Sequence, residues 1–230
     1  MKGSEFVPLN MALPILRQVA LALDYAHEKG IVHGDIKPEN VLFLKDSSHA
    51  YLSDFGISKH FSRDERTTAP IPHDEGGGTV AYMSPEHLTQ SRRSPASDIY
   101  SFTTMAYEMV AGHLPFRDAE SFYALIQSKL EGKMISADAL NPKLTKPISA
   151  ILMKGLSTAP ENRPSSALQL CAMLAHPEDI KPEPVKHVAI FHRFGSLEPA
   201  QKTAIIVALI GALGGTVAAV LKAVPELWNK

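Results

Sequence analysis

Asp35 and Lys37 stand two residues apart in "HGDIKPEN" (33–40), Asn40 follows three residues later, and Asp54 opens "DFG" (54–56). In extended backbone, positions two apart point to the same side. The carboxylate of Asp35 and the ammonium of Lys37 are therefore expected together, one able to accept a proton and the other able to hold an anion. Asn40 and Asp54 add oxygen ligands without Cys or His, a donor set that suits a hard cation such as Mg²⁺. A base, a cation and a Mg²⁺ site together describe phosphoryl transfer, in which catalysis is mainly positioning and charge stabilisation.

The elements around these residues must hold them in place. Residues 12–29 carry Leu16, Val19, Ala20, Leu23 and Ala26 at helical spacing, with Pro14 in the first turn and Gly30 as the stop. Short strand-like pieces follow at 31–32, 41–44 and 51–53, and the turn-like "KDSSHA" makes the last two a hairpin. Residues 57–83, polar and broken by Pro and Gly, read as one long loop. Beyond it the chain is helical. Ser97 or Asp98 can cap a helix that runs through Val110 to a stop at Gly112, and residues 119–130, 146–156 and 165–174 form further amphipathic helices. Cys171, the single cysteine, falls in an apolar helical pattern and is expected in the core.

Taken in order, the motifs resemble the large, C-terminal lobe of a eukaryotic-type Ser/Thr protein kinase, and the compact loops are more like bacterial members of that family. "HGDIKPEN" is similar to its catalytic loop, "DFG" to its magnesium loop and "GTVAYMSPE" (78–86) to the end of its activation segment. "SDIYSFTTMAYEMVAGHLPF" (97–116) is similar to its buried central helix, and "PENRPS" (160–165) to its last Arg motif. The resemblance covers roughly residues 5–176. It implies a mainly α fold with a short β-hairpin, ATP and Mg²⁺ as cofactors, and a protein Ser or Thr hydroxyl as acceptor. On this resemblance Asp35 would orient the acceptor hydroxyl and take its proton, and Lys37 would hold the γ-phosphate. Glu39 and Asn40 would belong to the nucleotide site, with Asn40 and Asp54 on Mg²⁺. Thr79 would hydrogen-bond Asp35 and Lys37. His33 and Phe55 would pack beneath the site, and Glu86 and Arg163 would form a buried ion pair. Asp98 would accept backbone N–H groups of the catalytic loop, a role compatible with its also being a simple helix N-cap.

The sequence departs from the family in two places. Gly34 stands where most members carry an Arg that meets a phosphorylated activation-loop residue, so phosphorylation at Thr67 or Thr68 lacks one usual partner. Upstream of His33 there is no Gly-rich loop, no V-A-I-K strand and no partner helix. The expectation is a large lobe without its small lobe, an apolar patch exposed at the cleft, and ATP binding weakened by lost contacts.

Bulk properties narrow the remaining classes. A hydrophobic share of 45%, a charged share of 20% and a net charge of −1 describe a globular chain and not a general nucleic-acid binder. One cysteine allows no disulfide within the chain, which fits a reducing compartment, and the first residues show no signal peptide. Residues 177–202, rich in Pro and charge, read as a linker. The uncharged run "AIIVALIGALGGTVAAVL" (204–221) would make a helix of ~27 Å, so a transmembrane helix is expected over 203–222, followed by a short tail at 223–230. Gly211 and Gly215 have the spacing of a membrane-helix dimer face. A single-pass membrane protein with the kinase lobe (1–176) in the cytoplasm follows. The alternatives are a pseudokinase-like binding scaffold anchored to a membrane, and an adaptor that dimerises through its membrane helix.

Overall fold

The computed structural model describes residues 6–43, 49–55, 59–60 and 77–179. Helix α1 (Leu9–Glu28) forms where the apolar periodicity places it, and Leu16, Val19, Ala20, Leu23 and Ala26 are all buried. It starts earlier than Pro14 suggests, because Ala12 also reaches the core. Pro8 takes the N-cap position, and Pro14 lies inside the helix. Gly30, with φ of 72°, turns the chain out of α1 into strand β1 (Ile31–Val32).

Strands β2 (Val41–Phe43) and β3 (Ala50–Leu52) form the expected antiparallel hairpin, with Val41 opposite Leu52. The hairpin leaves Leu42, Phe43 and Tyr51 exposed, an apolar surface beside the 33–40 loop. Strand β4 (Lys59–His60) pairs antiparallel with β1, which the sequence reading did not foresee.

The stretch 57–83 is not one loop. Besides β4 it contains helix α2 (Gly77–Tyr82), so the glycines at 77 and 78 open a helix. Buried Ala81 and Tyr82 hold that helix against the core, and the Tyr82 hydroxyl donates to Glu108. Tertiary anchoring overrides the weak helix propensity of "GGTVAY" here. Helix α3 (Pro85–Gln90) follows, capped by Ser84, whose Oγ accepts from the His87 N–H.

Helix α4 (Pro95–Ala111) runs through the middle of the structure. Ile99, Tyr100, Phe102, Met105, Ala106, Tyr107 and Val110 are buried, and so are Thr103 and Thr104. The two threonines satisfy their hydroxyls by donating to the Ile99 and Tyr100 carbonyls, one turn back. The N-cap is neither Ser97 nor Asp98 but Ser94, which forms a reciprocal capping box with Ser97. Gly112, with φ of 78°, ends the helix as expected.

Helices α5 (Phe122–Glu131), α7 (Lys146–Gly155) and α8 (Ala167–Ala175) match the three later amphipathic stretches. The short α6 (Ala137–Leu140) was not foreseen. Cys171 is buried in α8, and burial pushes its thiol up to about 12. Asp24 of α1 receives the first backbone N–H groups of α8, from Ala167 and Leu168, at 2.9 Å each. That contact ties the two helices end to side. Among the described residues no helix is long and apolar enough to cross a membrane. The segment 203–222, for which a membrane span is expected, lies outside them, as does most of the 177–202 stretch.

Helices α4 and α7 meet at Gly155. A Cβ built there would stand 2.6 Å from Thr103 Cγ2 and closer still to its Oγ1. That hydroxyl is fixed by its bond to Ile99, so it cannot simply rotate away. Gly155→Ala is expected to destabilise the fold by roughly 1–3 kcal/mol through overpacking. Thr103→Ala in the same chain should recover much of the loss, because the two changes share one contact. Urea denaturation of the single and double variants measures both effects.

Candidate active site

The site begins at the exit of β1. His33 is fully buried, and its backbone N–H donates to Asp98 Oδ2 at 2.8 Å. The next N–H, from Gly34, donates to Asp98 Oδ1 at 2.8 Å. Asp98, itself 1% exposed on α4, also receives His27 Nε2 at 2.8 Å. One buried carboxylate therefore fixes two consecutive peptide groups of the loop.

The His33 ring continues the scaffold. Its Nε2 lies 2.8 Å from the Ser53 carbonyl, which can only accept, so Nε2 carries the hydrogen. Its Nδ1 then accepts the Asp35 N–H at 3.3 Å. Phe55 meets the ring edge to face, with centroids 4.7 Å apart. His33 and Phe55 thus pack together beneath the loop, as expected.

On this base the chemical groups converge. Lys37 Nζ lies 3.0 Å from Asp35 Oδ2. Asn40, buried in the 3₁₀ turn Pro38–Asn40, donates Nδ2 to the Asp35 carbonyl at 2.6 Å and to Oδ2 at 3.1 Å. With Nδ2 committed to Asp35, the amide oxygen is the atom Asn40 can offer a cation. The Asn40 carbonyl accepts from the Ser53 N–H at 2.8 Å and from its Oγ at 3.1 Å, which joins the two ends of the hairpin. Asp54 follows directly, exposed and with φ of 62°, a conformation an Asp adopts at some cost. Glu39 is exposed beside Asn40. Burial first, then the hydrogen bond and charge of Glu108, keep the Tyr82 phenol protonated, and the charge of Glu39 adds to them. Thr79 lies in the backbone of α2, but its side chain is outside the described residues, as are Gly56, Thr67 and Thr68.

Glu86 and Arg163 form the expected buried pair. Nη1 donates to Oε1 at 2.7 Å and Nη2 to Oε2 at 2.8 Å. The other guanidinium N–H groups go to the carbonyls of Ser157, Ala96 and Thr158, so Arg163 is fully satisfied in the interior. Burial pushes the Glu86 carboxyl up, but Arg163's hydrogen bonds and charge outweigh it and hold the group below its ordinary value.

Two residues beside Gly34 escaped the sequence reading. A Cβ at Gly34 would stand 3.0 Å from Arg93 Cδ, and the backbone there has φ of 77°. The space next to this glycine is thus occupied by a guanidinium stem from the α3–α4 connection. Arg93 Nε donates to His87 Nε2 at 3.1 Å. Burial first, and the Arg93 charge second, push His87 down to about 4, so it accepts as a neutral ring. Nothing local in "HLTQSRR" signals either contact.

Comparison with known proteins agrees with this geometry. The protein kinase domain family matches residues 3–177. Serine/threonine-protein kinase PknH of Mycobacterium bovis is 36% identical over 174 residues, covering 75% of this chain and 28% of the relative. PknD of Mycobacterium tuberculosis is 36% identical over 75% of this chain and 25% of its own length. A probable serine/threonine-protein kinase of Clostridium acetobutylicum is 29% identical over 76% of this chain and 26% of its own. The chain spans about a quarter of the length of these curated relatives.

Removing one partner of the Glu86–Arg163 pair leaves a buried, uncompensated charge. Glu86→Gln is expected to destabilise the fold by about 3–5 kcal/mol. A carboxyl held below its ordinary 4.5 contributes stability that is present above that value and is lost as pH falls through the folded one. The gap between wild type and variant should therefore close in acid, which chemical denaturation across a pH series would show.

Proposed function

The chain belongs to the protein kinase family, and from that premise we propose that it carries the large-lobe share of a Ser/Thr phosphotransferase site. The observation that carries the reading is the Asp35 carboxylate, held between Lys37 at 3.0 Å and Asn40 at 3.1 Å on a loop fixed to Asp98. In this reading Asp35 takes the proton of a protein Ser or Thr hydroxyl. The hydroxyl oxygen forms its bond to the γ-phosphorus of ATP, and the bond to the β-phosphate oxygen breaks to release ADP. Lys37 faces the anionic phosphoryl group and shares the charge near Asp35. Thr79 is assigned beside these two on the motif alone.

The donor set fits Mg²⁺. Asp54 offers an exposed carboxylate and Asn40 an amide oxygen, both hard oxygens flanking one hairpin. When bound, the ion neutralises phosphate charge. Glu39 and the exposed Leu42, Phe43 and Tyr51 border the face where the nucleotide would lie. That apolar surface also suits a second reading, a binding scaffold without catalysis.

The proposal extends to location. The uncharged run 204–221 supports a membrane anchor, with the kinase lobe on the cytoplasmic side where ATP is found, and the spacing of Gly211 and Gly215 supports pairing of two such anchors.

Binding of Mg²⁺-ATP and transfer of phosphate to a generic basic protein are to be measured for the chain and for Asp35→Asn. Transfer should fall by about 10²–10⁴-fold in the variant, the range for loss of a positioned general base, with nucleotide binding retained. Transfer that survives in Asp35→Asn removes the assigned base. Nucleotide binding absent at millimolar ATP favours the scaffold.

A further inference from the structure

Lys129 lies on α5 and is 1% exposed. Its Nζ donates to the Ala81 and Met83 carbonyls at 2.7 Å each. Both carbonyls sit at the C-terminal end of α2 or just beyond, where a helix leaves carbonyls without intrahelical donors and where positive charge is favourable. The same ammonium stands 5.0 Å from the Tyr100 ring centroid and 5.4 Å from that of Phe116. Arg163 stands 5.0 Å from the Tyr100 ring as well. A buried ammonium is expensive, and an apolar side chain of similar length would fill the space at less cost. This one is spent on two backbone oxygens of a single short segment.

That segment leads into α3, which is tied to the proposed site: His87 of α3 accepts from Arg93, and the Arg93 stem lies against Gly34 of the 33–40 loop. Ala81 and Phe116, both in contact with Lys129, also line an open cavity of about 280 Å³. We propose that Lys129 is a positioning residue for the protein substrate: its ammonium clasps the Ala81 and Met83 carbonyls and fixes the wall beside the 33–40 loop. The clasp itself follows from the geometry, and the substrate it serves rests on the phosphotransferase reading.

The clasp depends on a proton. Burial pushes Lys129 down to about 7, Arg163's charge acts in the same direction, and Glu86 opposes both. Tyr100, the other titratable group against it, is kept uncharged by its own burial. The neutral amine keeps two N–H donors but loses charge assistance and the attraction to the rings. Opening of 81–83 wets the amine and returns its proton, so it becomes harder as pH rises through about 7. Global stability moves the same way. The unfolded lysine still binds its proton between the folded value and 10.5, so raising pH over that window favours the fold. A residue that merely filled space would show neither trend.

Amide hydrogen exchange of residues 80–84, corrected for the intrinsic effect of pH, tests the clasp without any need for activity. In the wild-type chain, protection of these amides should rise about tenfold between roughly pH 6 and 8.5, because the opened lysine keeps its proton while the closed one gives it up. Lys129→Met keeps the apolar stem, and its protection should be low and independent of pH. Protection unchanged by pH in the wild type overturns the clasp, whether or not the variant folds. With phosphate transfer measured in parallel, Lys129→Met should raise KM for a Ser/Thr peptide several-fold and leave KM for ATP unchanged. A fall in kcat with peptide KM unchanged overturns the substrate-positioning role. Absence of transfer from the wild type at every pH, with the exchange pattern intact, overturns the phosphotransferase reading and the substrate role that rests on it, and leaves the clasp standing.

Discussion

The site hangs from one buried carboxylate. Asp98 accepts two consecutive peptide N–H groups from His33 and Gly34 and a ring N–H from His27. Buried peptide groups need partners, and an irregular loop cannot supply them from its own backbone. Asp98 is available for this because Ser94 and Ser97 already satisfy the start of α4 through their capping box. Had Asp98 capped its own helix, its oxygens would have been turned away from the loop. The order of events along the sequence, Ser94 first and Asp98 four residues later, thus divides two tasks between two polar side chains on one helix turn. From His33 the constraint passes on: its ring spans Ser53 and the Asp35 N–H, so the hairpin and the acid are placed by the same imidazole.

A second buried carboxylate governs the other side of α4. Glu86 is matched by Arg163, yet the interior also holds Lys129, and both cations lie against Tyr100. Two positive charges with one carboxylate between them are not neutral. Arg163 is fixed bidentately and its guanidinium does not give up a proton in proteins. Burial, and after it this imbalance, therefore bear on Lys129, whose ammonium is held by two carbonyls. The ion pair that anchors α3 and the lysine that holds the end of α2 are one electrostatic system, read through a single aromatic ring.

What the sequence shows of this fold depends on the range of the interaction. Helices α1, α4, α5, α7 and α8 are legible because each buries one stripe at helical spacing, and the β2–β3 hairpin because a polar turn separates two apolar runs. Helices α2, α3 and α6 are too short to show a period, and β4 exists only through its pairing with β1. The loop residues Asp35, Lys37 and Asn40 are legible as chemistry because they are close in sequence and meet in space. Asp24, which receives the start of α8, and Lys129, whose ammonium donates to the Ala81 and Met83 carbonyls, act across long stretches of chain. No spacing rule reaches that far. Asp98 lies between these cases: local rules alone make it a cap, and the family resemblance gives its distant partners.

Gly34, one departure from the family pattern, has a structural counterpart. Its φ of 77° is one a glycine adopts without strain, and its missing side chain leaves room for the stem of Arg93. A larger residue at position 34 would meet that stem as soon as it carried a Cβ. The glycine and the arginine are therefore one arrangement rather than two substitutions. Burial, helped by the charge of Arg93, keeps His87 neutral, Arg93 donates to it, and His87 sits one residue from Glu86 on α3. The bare glycine on the 33–40 loop is thus accompanied by a basic group from the segment that leads into α4. The loop's backbone, held by Asp98 on one side and covered by Arg93 on the other, keeps its shape without the arginine that most of the family places there.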